Sequence, residues 1–225
     1  MAEQYFRAQR IGSEFLGTAF LLATVIGSGI MGAKLSGGND ALALLGNTLP
    51  TGAILVVLIT MLGPISGAHF NPAVTGVFWL KGEIEPSLAI RYALAQVAGG
   101  IVGVLAAHLM FDLPLLQLSA KVRSGPAQWF AEWVATFGLV VTILATVKTR
   151  PHAVPMSVGL YITAAYWFTA STSFANPAVT LARAFSDTFA GIRLEDVLPF
   201  VAAQLAGASS ALVVCRWLLN DGTAS

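Results

Sequence analysis

Charged residues fall along this chain as punctuation between apolar windows. No Asp, Glu, Lys or Arg occurs in 15–33, 41–80, 92–111, 133–147, 151–182 or 197–215. A helix needs about 20 apolar residues to cross a bilayer. The windows that begin at 15, 92, 133 and 197 each predict one span. The other two are too long for one span and too short for two.

In the first long window a span over about 44–62 precedes a break at Gly63-Pro64. Ile65-Ser66-Gly67-Ala68-His69-Phe70 and Asn71-Pro72-Ala73 follow, then a short apolar run to about Leu80. The second window has the same plan: a span over about 153–170, then Ser171-Thr172-Ser173-Phe174-Ala175, Asn176-Pro177-Ala178 and a run to about Phe185. Each trailing run holds about 10 residues, or about 15 Å of helix, half a bilayer. The spacing predicts two re-entrant half-helices that meet at the midplane.

The plan repeats elsewhere. Glu14-Phe15-Leu16-Gly17-Thr18 parallels Glu132-Trp133-Val134-Ala135-Thr136, and Gln96-Val97-Ala98-Gly99 parallels Gln204-Leu205-Ala206-Gly207. Three spans per half is an odd number, so the second half enters the membrane inverted. The fold class is therefore an all-α integral membrane protein with six spans and two half-helices. It is one domain over 1–225, with repeats at about 10–111 and 129–220 and a connector at about 112–128. The first apolar run reads as a span rather than a cleaved leader, because Glu14 interrupts its start and has a mate in Glu132.

Composition narrows the class further. Hydrophobic residues make up 56% of the 225 and charged residues 10%, against roughly 25% charged in a soluble domain. The bilayer is thus the first partner. A net charge of +1 excludes nucleic acid as a partner. One cysteine, Cys215, excludes a disulfide scaffold and a thiolate metal centre. No nucleophile–base pair or carboxylate pair stands at useful spacing, so no enzyme, metal or cofactor is expected. With the N-terminus inside, Arg7, Arg10, Lys81, Arg91, Lys148, Arg150 and Arg216 lie on the inner side. Lys34, Lys121, Arg123, Arg183 and Arg193 lie on the outer side. The excess favours cytoplasmic termini.

Asn is a strong N-cap and Pro suits the first helical position. Asn-Pro therefore marks a helix start, and each Asn is expected to leave its NH₂ free toward a lumen. Two helix N-termini facing each other concentrate positive potential, which repels cations while a neutral solute offers its oxygen to Asn71 and Asn176. The irregular stretches before them cannot leave carbonyls facing lipid, so they are expected to line water.

At these residues the chain resembles the aquaporins of the major intrinsic protein family. The resemblance rests on Ser66-Gly67-Ala68-His69-Phe70-Asn71-Pro72-Ala73-Val74-Thr75, on Asn176-Pro177-Ala178, and on Glu14, Glu132, Gln96 and Gln204. It spans about 11–219 and implies one pore per subunit, a homotetramer, a cell (inner) membrane location and passive conduction of small neutral solutes. It also implies that Glu14 and Glu132 brace the re-entrant loops and that His69 sits at the inner pore mouth. A proton relay through the two carboxylates and a pH gate at His69 are the rival roles.

Most members have Arg directly after the second Asn-Pro-Ala; here Val179 stands there. The resemblance places the other filter residues at Thr51, Ser173 and, on the fifth span, either Tyr166 or Ala164. A filter of Thr51, Tyr166, Ser173 and Val179 is wider and less polar than a water-specific one. The replaced Arg resembles a bacterial subgroup associated with arsenic-resistance genes. It implies conduction of arsenous acid or glycerol beside water; the alternative is a water channel with an unusual filter. Arg183 either returns the missing charge to the outer vestibule or snorkels to the interface. His108 and His152 lack metal-like spacing, and the glycine-rich patches at 99–103 and 207–210 read as helix packing. A secondary transporter and a membrane seal are the competing functions.

Overall fold

A computed structural model describes residues 5–220. Among the described residues are eight α-helices: α1 (Arg7–Leu35), α2 (Asp40–Ser66), α3 (Pro72–Leu80), α4 (Pro86–Met110), α5 (Pro126–Thr149), α6 (Val154–Phe168), α7 (Pro177–Arg183) and α8 (Leu194–Leu218). Five of them are long and apolar enough to cross a bilayer: α1, α2, α4, α5 and α8. The sixth expected span is α6, with only 15 residues. A 3₁₀ turn, Pro151–Ala153, precedes it and lengthens it to about 28 Å, since a 3₁₀ turn rises about 2 Å per residue.

α1 packs on α4, α5 on α8, and α2 on α6 across the two halves. The first two pairs cross at glycine. A Cβ on Gly99 would run into the Phe15 carbonyl, and one on Gly207 into the Trp133 carbonyl. Where lipid is as apolar as the side chains, such close approach supplies the packing that holds helices together. Large apolar side chains such as Phe20, Leu94, Leu198 and Trp217 face outward.

Two boundaries differ from the sequence reading. Gly63-Pro64 does not break α2, which runs on to Ser66 and ends at Gly67 with φ 93°. Pro64 lacks only its own N–H, and the following turn still closes through Gly67 N–H on the Gly63 carbonyl (2.9 Å). The half-helices are also shorter, 9 and 7 residues, or about 24 Å together. α7 tightens at its end, where Ala184, Phe185 and Ser186 donate to carbonyls three residues back.

The connector ends at Gly125, where α5 begins, and it is knitted to the loop after α7. Ser119 N–H donates to Ala184 O (3.0 Å), Arg193 N–H to Lys121 O (2.8 Å), and Ala120 N–H to Asp187 Oδ1 (2.9 Å). The buried His108 bridges the same two segments, with Nδ1 2.9 Å from Leu115 O and Nε2 2.9 Å from Ser186 Oγ. That contact uses up both ring nitrogens. The face carrying this connector is called the connector face below, and the opposite one the terminal face.

Candidate pore

Each re-entrant stretch hangs on a buried carboxylate. Glu14 on α1 accepts from His69 N–H (2.9 Å), Phe70 N–H (2.6 Å) and Ser66 Oγ (2.6 Å). Glu132 on α5 accepts from Phe174 N–H and Ala175 N–H, both 2.9 Å. Gln96 Nε2 ties Glu14 (2.8 Å) to Thr75 Oγ1 (3.0 Å). Gln204 Nε2 ties Glu132 (2.6 Å) to Thr180 Oγ1 (2.8 Å). The chain alone would avoid the backbone these contacts hold. Ala68, Phe70, Ser173 and Ala175 are left-handed, with φ of 48° to 50°, a cost of about 1–3 kcal/mol per residue. Charge-assisted hydrogen bonds to the carboxylates offset it. Both carboxylates are fully buried and spent on these donors, which is the geometry of a brace.

The half-helices meet tip to tip. Asn71 Oδ1 accepts from Ala73 N–H (2.9 Å) and Val74 N–H (3.5 Å). Asn176 Oδ1 accepts from Ala178 N–H (3.0 Å) and Val179 N–H (3.3 Å). Pro72 and Pro177 fill the first helical positions, with Ala73 and Ala178 buried behind them. The amide groups are not wholly free, as the sequence reading has them. Asn71 Nδ2 donates to Ala175 O, and Asn176 Nδ2 to Phe70 O, each at 2.7 Å. The left-handed residue before each Asn presents its carbonyl to the opposite helix tip. An amide has two N–H bonds, so each Asn keeps one for the lumen.

A cavity of about 110 Å³ runs past these tips. One wall is apolar, with Leu21, Val25, Leu55, Leu139, Ile143, Val158 and Ile162 from the long helices. The other is the re-entrant backbone and the two Asn. Thr51, Tyr166, Ser173 and Val179 border it together, toward the connector face. Thr51 Oγ1 donates to Asn47 O (2.8 Å), and the Tyr166 hydroxyl lies 3.5 Å from Thr51 Oγ1. Ser173 Oγ is buried without a partner. Ala164 is exposed on the outside of α6, so of the two α6 candidates Tyr166 is the one that reaches the cavity. His69 borders the terminal-face half. Its Nδ1 is 3.1 Å from Thr75 Oγ1, and its ring stacks on Phe78 at 4.7 Å.

Arg183 does not snorkel. It is 1% exposed and borders the cavity. Its Nε donates to Ala190 O, and its guanidinium lies 3.3 Å over the Phe174 ring. The same ring is faced at 4.9 Å by Arg123, a connector residue that no motif marks. Arg123 bonds Gly191 O (2.9 Å) and Ser171 O (3.1 Å), and burial lowers its guanidinium to about 10. Loop residues carry no periodicity, so Arg123 has no sequence signal. Thr75, Thr180 and Phe78 do have one, because the offset that carries Asn71 onto Asn176 pairs Thr75 with Thr180 and Phe78 with Arg183. Among the described residues no cluster of His, Cys, Asp and Glu is arranged to hold a metal ion; His152 is exposed and Cys215 is buried.

Comparison with known proteins agrees with this architecture. The family model described as Major intrinsic protein matches residues 2–173. The aquaglyceroporin AqpS of Rhizobium meliloti (strain 1021) is 60% identical over 218 residues, 97% of this chain and 93% of its own. The lens fiber major intrinsic protein of Gallus gallus is 29% identical over 224 residues, 95% of this chain and 81% of its own. The X-ray structure of the aquaglyceroporin from Plasmodium falciparum superposes with a TM-score of 0.72 over 94% of this chain and 95% of its own. At 23% identity that likeness speaks for the fold alone. With the family model over most of its length and a near full-length relative at 60% identity, the chain belongs to the major intrinsic protein family, as a multi-pass membrane channel and not an enzyme.

Proposed function

We propose that this protein is a passive channel for small uncharged solutes: water, and hydroxylated solutes of the size of glycerol or arsenous acid. The observation that carries the reading is the lining toward the connector face. Val179 borders the cavity just beyond the Asn176 tip, beside Thr51, Tyr166 and Ser173, and a valine leaves more width than a guanidinium there. The name of the AqpS relative, an aquaglyceroporin, supports the same breadth. One observation favours a narrower, water-selective pore: the Tyr166 hydroxyl reaches to 3.5 Å from Thr51 Oγ1, which closes part of the opening. Family membership supports a homotetramer, and the resemblance to a bacterial subgroup supports the inner membrane as its location. Cytoplasmic termini are supported by seven Lys and Arg on the terminal face against five on the other. Two of those five, Arg123 and Arg183, are buried inside the protein.

The test is stopped-flow permeability of reconstituted liposomes to water, glycerol and arsenous acid, with wild type and Val179→Arg. Fast glycerol and arsenous acid flux that the substitution cuts on the order of tenfold, with water less affected, is the expected result. Water flux alone in the wild type establishes the narrower pore. Uptake that saturates and follows an ion gradient replaces the channel with a secondary transporter.

A further inference from the structure

Arg183 has features that no brace or packing role uses. Its Nη1 is buried and has no hydrogen-bond partner, although an unpaired buried donor on a charged group is costly. Ser173 Oγ, on the same stretch of lining, is unpartnered as well, and Tyr166 borders the same cavity. Among the residues that border the cavity, Arg183 alone carries a permanent charge; His69 is the only other titratable side chain with a cationic form, and no carboxylate faces the lumen.

The internal repeat identifies the position independently. The offset that superposes Asn71 on Asn176 superposes His69 on Phe174 and Phe78 on Arg183. Phe78 stacks on His69 at the terminal-face mouth, and Arg183 stacks on Phe174 at the other. Both members of the pair border the cavity. The location belongs to the pore lining in each half, and only its chemistry differs.

We propose that Arg183 is the charged, specificity-determining residue of the connector-face mouth. It sits one helical turn beyond Val179 and held to one side by Phe174. There it repels cations from a pore that Val179 leaves wide, and it offers Nη1 as a donor to the oxygen of a passing neutral solute. Width and charge, which one side chain directly after Asn-Pro-Ala would set together, are set here by two residues. This inference rests on the channel reading above.

The test uses full-length protein in liposomes, with sodium and proton leak measured beside water and glycerol flux. Arg183→Met is expected to raise the cation leak on the order of tenfold, the weight of one unit charge a few ångströms from the ion path. Arg183→Lys keeps the charge and stays near the wild-type leak. The double variant Val179→Arg with Arg183→Met returns a cation to the lining and suppresses the leak, which a purely structural Arg183 would not allow. Ser173→Asp places a carboxylate in the same cavity lining and leaves Arg183 and Phe174 unsubstituted, and it raises the leak even if Arg183→Met fails to insert. Arg183→Met and Ser173→Asp proteins that pass water and glycerol yet stay as cation-tight as wild type overturn the inference and leave the channel reading standing. Wild-type liposomes with no solute flux overturn the channel reading and this inference with it.

Discussion

The two mouths of the cavity are built from equivalent positions and end up chemically opposed. At the terminal face Phe78 lies on His69, with Val147 and Val154 nearby. At the connector face Arg183 lies on Phe174, with the hydroxyls of Thr51, Tyr166 and Ser173. Between them the halves agree to within a few tenths of an ångström, Glu14 with Glu132, Gln96 with Gln204 and Asn71 with Asn176. The contrast teaches which parts answer to backbone and which to solute. The centre must satisfy the same left-handed turns twice, so its side chains are fixed. The mouths carry no such obligation and are free to differ.

Breaking the shared centre should do the most damage. In Asn71→Asp or Asn176→Asp the carboxylate cannot donate across to Ala175 O or Phe70 O. Water and glycerol flux should fall by about tenfold or more, with cation entry appearing. Liposome permeability decides it, and unchanged selectivity would mean that the two tips do not meet in the conduction path. Next come the braces. In Glu14→Gln and Glu132→Gln one acceptor oxygen must serve two backbone N–H groups. A loss of about 3 kcal/mol is expected, or on the order of 10 °C in detergent melting. Equal shifts in the two variants would confirm that the halves bear equal load, and unequal ones would locate the weaker half.

Smaller effects sharpen the difference between the mouths. Phe78→Ala should change glycerol flux by less than about twofold if the filter proposed at Thr51, Tyr166, Ser173 and Val179 limits it. A large gain would move the limiting step to the other mouth. The smallest effect concerns Lys121 in the connector, whose ammonium donates to Phe189 O (2.6 Å). Burial, then the Arg123 and Arg183 guanidiniums, push it down to about 8, against a weaker upward pull from Asp40. The unfolded chain holds this proton more tightly, so its contribution to stability rises with pH from about 8 up to its ordinary value near 10.5. Melting temperature compared with Lys121→Met across that window should show the slope in wild type and lose it in the variant.

Local chemistry made the half-helix starts readable, because an Asn-Pro pair signals its cap without reference to the rest of the chain. The apolar windows located the spans for the same reason. What needed the fold was every choice of direction. Tyr166 and Ala164 are two residues apart, and only the true course of α6 decides which meets the cavity. Arg183 at a helix end has two outlets, lipid interface or lumen, and the ring of Phe174 selects the second. Pro64 looks like a stop, yet a helix tolerates one missing bond when the next turn closes normally.

The braces also impose an order of assembly. Everything that cradles the first re-entrant stretch lies between Glu14 and Gln96, so it is available once the fourth helix has been made. The crossing of the two tips joins residues 104 and 106 positions apart, and it has to wait for Asn176. A chain halted after its first repeat would hold a seated loop with one amide and one carbonyl still unmatched. Closure of the conduction path thus waits for the second repeat, and half-made protein has no finished route through it.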